Sequence, residues 1–135
     1  MTTNLFDAAY HCIMANDPAE KVQLSQTTAQ LWRAGELSLE ARSPAQPILV
    51  PGHPPALRLV PPRDVPRRTL STTAGQAALL HALTHIEFNA INLAWDAVYR
   101  FRDLPITFAE DWIQVAEEET AHFLLLQEQL HHLGY

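Results

Sequence analysis

The sequence predicts an all-α fold built on a long antiparallel helical hairpin, preceded by two short helices and an extended, proline-rich strap. Three observations predict it. Two segments of helical periodicity, about 73–101 and 108–133, are separated only by Asp103-Leu104-Pro105-Ile106 and its flanks. Eight of the ten prolines fall between residues 36 and 70, a density that no regular element survives. Residues 1–35 carry apolar side chains at helical spacing, with a break at Ala15-Asn16-Asp17-Pro18.

In chain order, Leu5, Phe6, Ala9, Cys12 and Ile13 define the first short helix. The second starts at Asp17-Pro18, with Asp17 as N-cap, Pro18 in the first helical position and Glu20 completing a capping box. It runs to about Arg33, and Gly35 supplies the stop. Residues 1–35 thus form an N-terminal helical pair. Residues 36–70 are the strap; Ile48, Leu49, Val50, Leu57, Leu59 and Val60 mark it as laid over the helices rather than solvated. A docking arm for another chain is the alternative. With five arginines against three acids it is the basic part of the chain, and Arg63, Arg67 and Arg68 are placed to meet an anionic ligand or the acidic last helix, or simply water. Residues 71–135 are the hairpin. Thr73 with Gln76, and Thr107 with Glu110, read as capping boxes for its helices. So short a reversal between helices of similar length makes them antiparallel neighbours. All three parts belong to one domain.

Composition narrows the function. The chain has 135 residues, 47% hydrophobic and 18% charged, with a net charge of −6, as for an ordinary globular domain. From Asp103 to Tyr135 there are seven acids and no Lys or Arg. Such a segment repels nucleic acid and anionic membrane and attracts cations. Cys12 is the single cysteine, which excludes an intrachain disulfide and a Cys-ligated zinc; it reads as a core thiol. The N-terminus lacks the pattern of a signal peptide, and no run is long enough to span a membrane. The expectation is a cytoplasmic protein with no nucleic-acid or membrane partner.

The chemistry-bearing residues interrupt the apolar stripes. The first hairpin helix places Leu80, Leu83, Ala90, Ala94, Val98 and Phe101 at helical spacing, with Glu87 among them. The second places Phe108, Trp112, Val115, Phe123, Leu126, Leu130 and Leu133, with Glu119 and His122 in the middle. Glu87 lies 17 residues before Leu104, and Glu119 and His122 lie 15 and 18 after it. At about 1.5 Å per residue the three reach nearly one level. Glu119 and His122 are i, i+3 and share a face. A buried carboxylate needs a countercharge, and neither stripe contains Lys or Arg. Two carboxylates and an imidazole suit iron, with manganese also possible, better than a thiophilic ion. A hydrogen-bonded Glu–His pair with Glu87 protonated is the metal-free alternative. Glu117 and Glu118 point roughly 160° and 100° away from Glu119 and read as solvent-facing. His131 and His132 suit the helix C-terminus. His81 and His85, i, i+4 on the first helix, have the spacing of a surface metal clamp, and His85 points away from Glu87. Asp96 and Arg100 form a routine i, i+4 pair. Trp95 and Tyr99 are placed at the other edge of the hairpin.

A helix with Glu followed by a helix with Glu-x-x-His is one half of the ferritin-like di-iron carboxylate pattern. The segments AALLHALTHIEFNAINLAWDAVYRFRDLP and FAEDWIQVAEEETAHFLLLQEQLHHLGY resemble the first half of an uncharacterised ferritin-like family, domain of unknown function 455. DPAEKVQL and LRLVPPRDVPRR resemble it too, so the likeness covers nearly the whole chain. It implies that Glu87, Glu119 and His122 match metal-ligand positions and that the hairpin is half of a four-helix bundle. Members of that family are roughly twice as long and bring a second Glu and a second Glu-x-x-His, which this chain lacks. The resemblance therefore implies either that this chain is a fragment of a longer protein or that the di-iron site is completed by a homodimer or by a companion chain. The expected function is a non-haem di-iron oxidoreductase using O2 or peroxide. A ferroxidase or iron-handling protein is the alternative, and a metal-free helical dimerisation module a further one.

Overall fold

The computed structural model describes residues 4–41, 43–54 and 69–135. Among them are four helices: α1 (Leu5–Met14), α2 (Pro18–Arg33), α3 (Thr73–Arg100) and α4 (Ile106–His132). The extended backbone of the described residues pairs in one isolated bridge, Asn4 with Ser38. The part of the strap holding Leu57, Leu59, Val60, Arg63, Arg67 and Arg68 lies outside the described residues.

Local chemistry sets the helix ends, not always as the sequence suggests. Asn4 caps α1: its Oδ1 accepts the Asp7 N–H at 2.8 Å while its amide donates to Asp7 Oδ2 at 2.8 Å. Pro18 opens α2, but Asp17 makes no side-chain capping bond. The expected capping box with Glu20 is absent, since the fixed φ of Pro18 already sets the first turn. On α3 the cap is Thr72 rather than Thr73; its Oγ1 accepts the Gly75 N–H at 3.0 Å, and the Gln76 amide turns back to the Leu70 carbonyl at 3.2 Å. Helix α4 starts two residues earlier than the sequence suggests, directly after Pro105, and has no side-chain cap. Thr107 is inside its first turn, so the second expected box is also absent. Helices α2 and α4 end alike. Glu36 N–H bonds to Leu31 O and Gly35 N–H to Trp32 O; Tyr135 N–H bonds to Leu130 O and Gly134 N–H to His131 O. These are Schellman closures, and Gly35 and Gly134 adopt the positive φ (71° and 90°) they require.

Helices α3 and α4 run antiparallel along each other: Phe101 meets Phe108 at the loop, and Phe88 meets Phe123 further along, with ring centroids 6.0 and 5.8 Å apart. Helix α1 packs on α3 and α2 on α4, so the two short helices cover one side of the long pair. The core between them contains Leu5, Ile13, Phe88, Ile91, Trp95, Val98, Ile113 and Phe123. Trp95 is fully buried and its Nε1–H donates to Ser25 Oγ at 2.9 Å. It stands at the centre of the core rather than at the hairpin's edge.

This packing corrects the apolar stripe expected on α3. Its buried face runs through Thr84, Phe88, Ile91, Trp95 and Val98, whereas Leu83 and Phe101 are exposed and Leu80 is half-buried. The helix is apolar over most of its circumference, so periodicity alone does not choose the face that meets α1 and α2.

Two ties hold the corner of α1, α2 and α3. Lys21 of α2 is fully buried. Its Nζ donates to the carbonyls of Cys12 and Ile13 at 2.9 and 2.6 Å and to Asn92 Oδ1 at 2.6 Å, and it lies 5.2 Å from the Phe88 ring centroid. The ammonium thereby satisfies carbonyls that the end of α1 leaves without helical partners. Burial pushes Lys21 down to about 8, against the small opposing pull of Cys12. The second tie is the strap. Its Ser43 carbonyl accepts from Arg102 Nη1 at 2.7 Å, its Gln46 N–H donates to Tyr99 Oη at 2.9 Å, and its Gly52 N–H donates to Ile13 O at 2.8 Å. Gly52 lies so close to α1 that a Cβ there would sit 2.3 Å from the Met14 carbonyl oxygen. Arg102 is sandwiched between the Phe6 and Tyr99 rings, 4.6 and 4.7 Å from their centroids.

Candidate metal centre

Antiparallel packing of α3 and α4 brings Glu87, Glu119 and His122 together. One ligand atom from each lies within 4.8 Å of the others. His122 Nδ1 is 3.3 Å from Glu119 Oε2 and 3.6 Å from Glu87 Oε2. The first contact is a hydrogen bond within the i, i+3 pair; the second is too long to be one. Phe88 and Phe123, which follow Glu87 and His122 in sequence, are buried and pack against each other with rings tilted by 51°.

The cluster faces outward from the α1/α2 side. The Glu87 and Glu119 side chains are each 22% exposed and that of His122 is 54% exposed. Yet Glu87 Oε2 is itself buried and has no hydrogen-bond partner among the described protein groups. A buried carboxylate oxygen without a donor is costly, and such an atom calls for an explanation.

The other titratable groups lie elsewhere. Glu118 is exposed. Glu117 is not merely solvated: it pairs with Arg33 of α2, and that hydrogen bond and charge raise the Arg33 pKa. His131 and His132 are exposed in the last turn of α4. His81 and His85 are exposed on α3; burial, then the charge of His81, lowers the His85 pKa. Tyr99, twelve residues beyond Glu87 and so about 18 Å along the helix, packs against Tyr10 at 5.5 Å. Asp96 and Arg100 form their i, i+4 pair at 3.1 Å. Burial raises the pKa of the Cys12 thiol, partly opposed by hydrogen bonds from Thr28 and Ser25.

Sequence reasoning missed Lys21. The sequence carries no clear signal for it: Lys21 shares a helical face with Ser25 and Thr28, polar residues whose burial only the packing of α2 reveals.

Together these observations define an all-helical protein with a carboxylate–histidine cluster between its two long helices. Residues 14–135 match the family described as "Protein of unknown function (DUF455)", and the chain belongs to that family. It is also 51% identical over 84 residues to an uncharacterized protein of Haemophilus influenzae (strain ATCC 51907 / DSM 11121 / KW20 / Rd). That match covers 57% of this chain and 29% of the relative, so the chain corresponds to only part of the relative's length. No solved structure matches. Among the described residues no helix is long and apolar enough to cross a membrane.

Proposed function

We propose that Glu87, Glu119 and His122 are half of a ferritin-like di-iron carboxylate centre, and that the protein is a non-haem oxidoreductase working with O2 or peroxide. One observation carries the reading: the buried, unpartnered Glu87 Oε2 lies within ligand distance of a second carboxylate and an imidazole nitrogen. The donor set of two carboxylate oxygens and one nitrogen fits iron, and manganese nearly as well. A metal-free Glu119–His122 pair accounts for their 3.3 Å contact but leaves Glu87 Oε2 without a partner.

In this reading Glu87, Glu119 and His122 would hold the metal, Glu87 from α3 and the i, i+3 pair Glu119 and His122 from α4. His122 would offer Nδ1, which is 3.3 and 3.6 Å from the two carboxylates, in its unprotonated form. Phe88 and Phe123 exclude water from the inner side. Bound iron would supply the redox chemistry with O2 or peroxide. Three donors are too few for two metals, so in this reading the remaining donors come from beyond these residues, supplied by a second copy or by a companion chain.

The test is element analysis after anaerobic loading with Fe(II) or Mn(II) and gel filtration. About one metal per chain is expected, with affinity reduced about 10-fold or more in Glu87→Gln, Glu119→Gln and His122→Gln. A folded wild-type protein retaining no metal refutes the proposal. Consumption of Fe(II) and O2 with no organic substrate would instead favour the iron-handling reading.

A further inference from the structure

A cleft opens between α1, the strap and the last turns of α3. It holds about 270 Å³ and is lined by Asp7, Tyr10, His11, Ser43, Gln46 and Tyr99. Tyr99 sits near the loop end of the hairpin, so the cleft lies well apart from the carboxylate–histidine cluster. Its walls are held in place by the strap's own ties. Gln46 N–H donates to Tyr99 Oη, and the Ser43 carbonyl accepts from Arg102 Nη1.

Two groups on these walls keep hydrogen-bonding capacity that the protein does not use. Tyr99 is only 5% exposed. Its Oη accepts from Gln46 N–H at 2.9 Å, but its own O–H has no acceptor among the described residues. A phenol so deeply buried normally gives its proton to a partner. Asp7 Oδ2 accepts from the Asn4 amide at 2.8 Å, while Asp7 Oδ1 has no donor among the described side chains. One wall therefore offers a fixed donor and another a fixed acceptor. His11, Ser43 and Gln46 beside them can each give and take.

Charge narrows what fits. Asp7 repels an anion. Arg102, 4.7 Å from the Tyr99 ring and 2.7 Å from the Ser43 carbonyl oxygen, repels a cation from the opposite wall. An apolar ligand would leave the Tyr99 proton and Asp7 Oδ1 unpaired. A neutral hydroxyl group both donates and accepts, so a ligand carrying several of them meets none of these penalties. Half-buried Tyr10, tilted 42° against Tyr99 at 5.5 Å, adds an aromatic surface for the C–H side of a ring. The volume lies just below the range of about 300–1,000 Å³ that holds drug-sized ligands, which suits one ring rather than a chain of them.

We propose that this cleft binds a single uncharged sugar ring, with Asp7 Oδ1 and the Tyr99 hydroxyl as its fixed acceptor and donor and Tyr10 against its face. The site is independent of the metal-centre reading.

Nitrogen–proton correlation NMR of the full chain, titrated with methyl α-D-glucopyranoside and separately with methyl β-D-ribofuranoside, tests it. A millimolar dissociation constant is expected for a ligand this small. At least one of the two sugars is expected to give saturable shifts centred on the amides of Tyr10, His11, Ser43 and Gln46. Sodium acetate and methylammonium chloride are expected to give none there. Tyr99→Phe keeps the ring, and Asp7→Ala keeps the N–H that Asn4 caps. Each is expected to weaken sugar binding about 10-fold or more, while Glu128→Ala, exposed on α4, leaves it unchanged. Where either variant fails to fold, the wild-type shift map decides. No saturable shift with either sugar overturns the proposal, as do shifts centred outside the cleft or full affinity in both folded variants. Shifts in the cleft caused by acetate or methylammonium, and not by the sugars, overturn the ligand class.

Discussion

Replacing Lys21 by Met tests the corner of α1, α2 and α3. Met fills nearly the same space, so the change isolates the ammonium. Three acceptors face it in the native protein. The Ile13 carbonyl keeps its bond from Gly52 N–H at 2.8 Å. The Cys12 carbonyl and Asn92 Oδ1 are left in the interior without a donor. Each such loss costs about 1–3 kcal/mol. Removing a charge from the interior returns part of this, but main-chain carbonyls cannot be mutated away, so the loss dominates. The expected result is a destabilisation of about 2–3 kcal/mol by urea unfolding, or roughly a 10 °C fall in Tm for a domain of this size. Adding Asn92→Leu removes one of the stranded acceptors and is expected to recover about 1 kcal/mol. If Lys21→Met is neutral or stabilising, the ammonium is not the tie described here, and the end of α1 obtains its hydrogen bonds elsewhere.

The same residue predicts a pH dependence. Burial holds the folded pKa of Lys21 near 8, below the ordinary lysine value of about 10.4; between these values the unfolded chain binds more protons, so stability rises with pH across that window, by up to ~3 kcal/mol. Urea titrations from pH 8 to 10 are expected to show this rise in the wild type and not in Lys21→Met. Gly52→Ala places a methyl group against the Met14 and Ala15 carbonyls and is expected to cost about 2 kcal/mol or more; faster limited proteolysis between residues 43 and 54 than in the wild type would report release of the strap. Arg33→Ala removes an ion pair whose arginine is 55% exposed, so no resolvable change in thermal unfolding is expected, and a clear fall in Tm would show that the pair clamps α2 to α4.

The long helices and the meeting of Glu87, Glu119 and His122 follow from features written along the chain: periodicity, a short loop, and equal distances from Leu104. What did not follow were choices between equivalent local options. Thr72 and Thr73 are both competent caps, and only the position of Gly75 decides between them. The outward and inward faces of α3 are both apolar, so the placement of Leu83 and Trp95 depended on where α1 and α2 land. Lys21 looks like an ordinary surface lysine until the carbonyls of α1 are brought to it, and that contact is tertiary. The cluster was more legible than the core because an acid or imidazole among leucines is conspicuous, whereas one leucine is much like another.

The bonds that join the two halves of the core reach far along the chain: Lys21 to Asn92 spans 71 positions and Ser25 to Trp95 spans 70. Local helix formation is fast, but closing so long a loop comes before any reward from these contacts. The rate at which this protein folds is therefore expected to be governed by the search of one helix pair for the other.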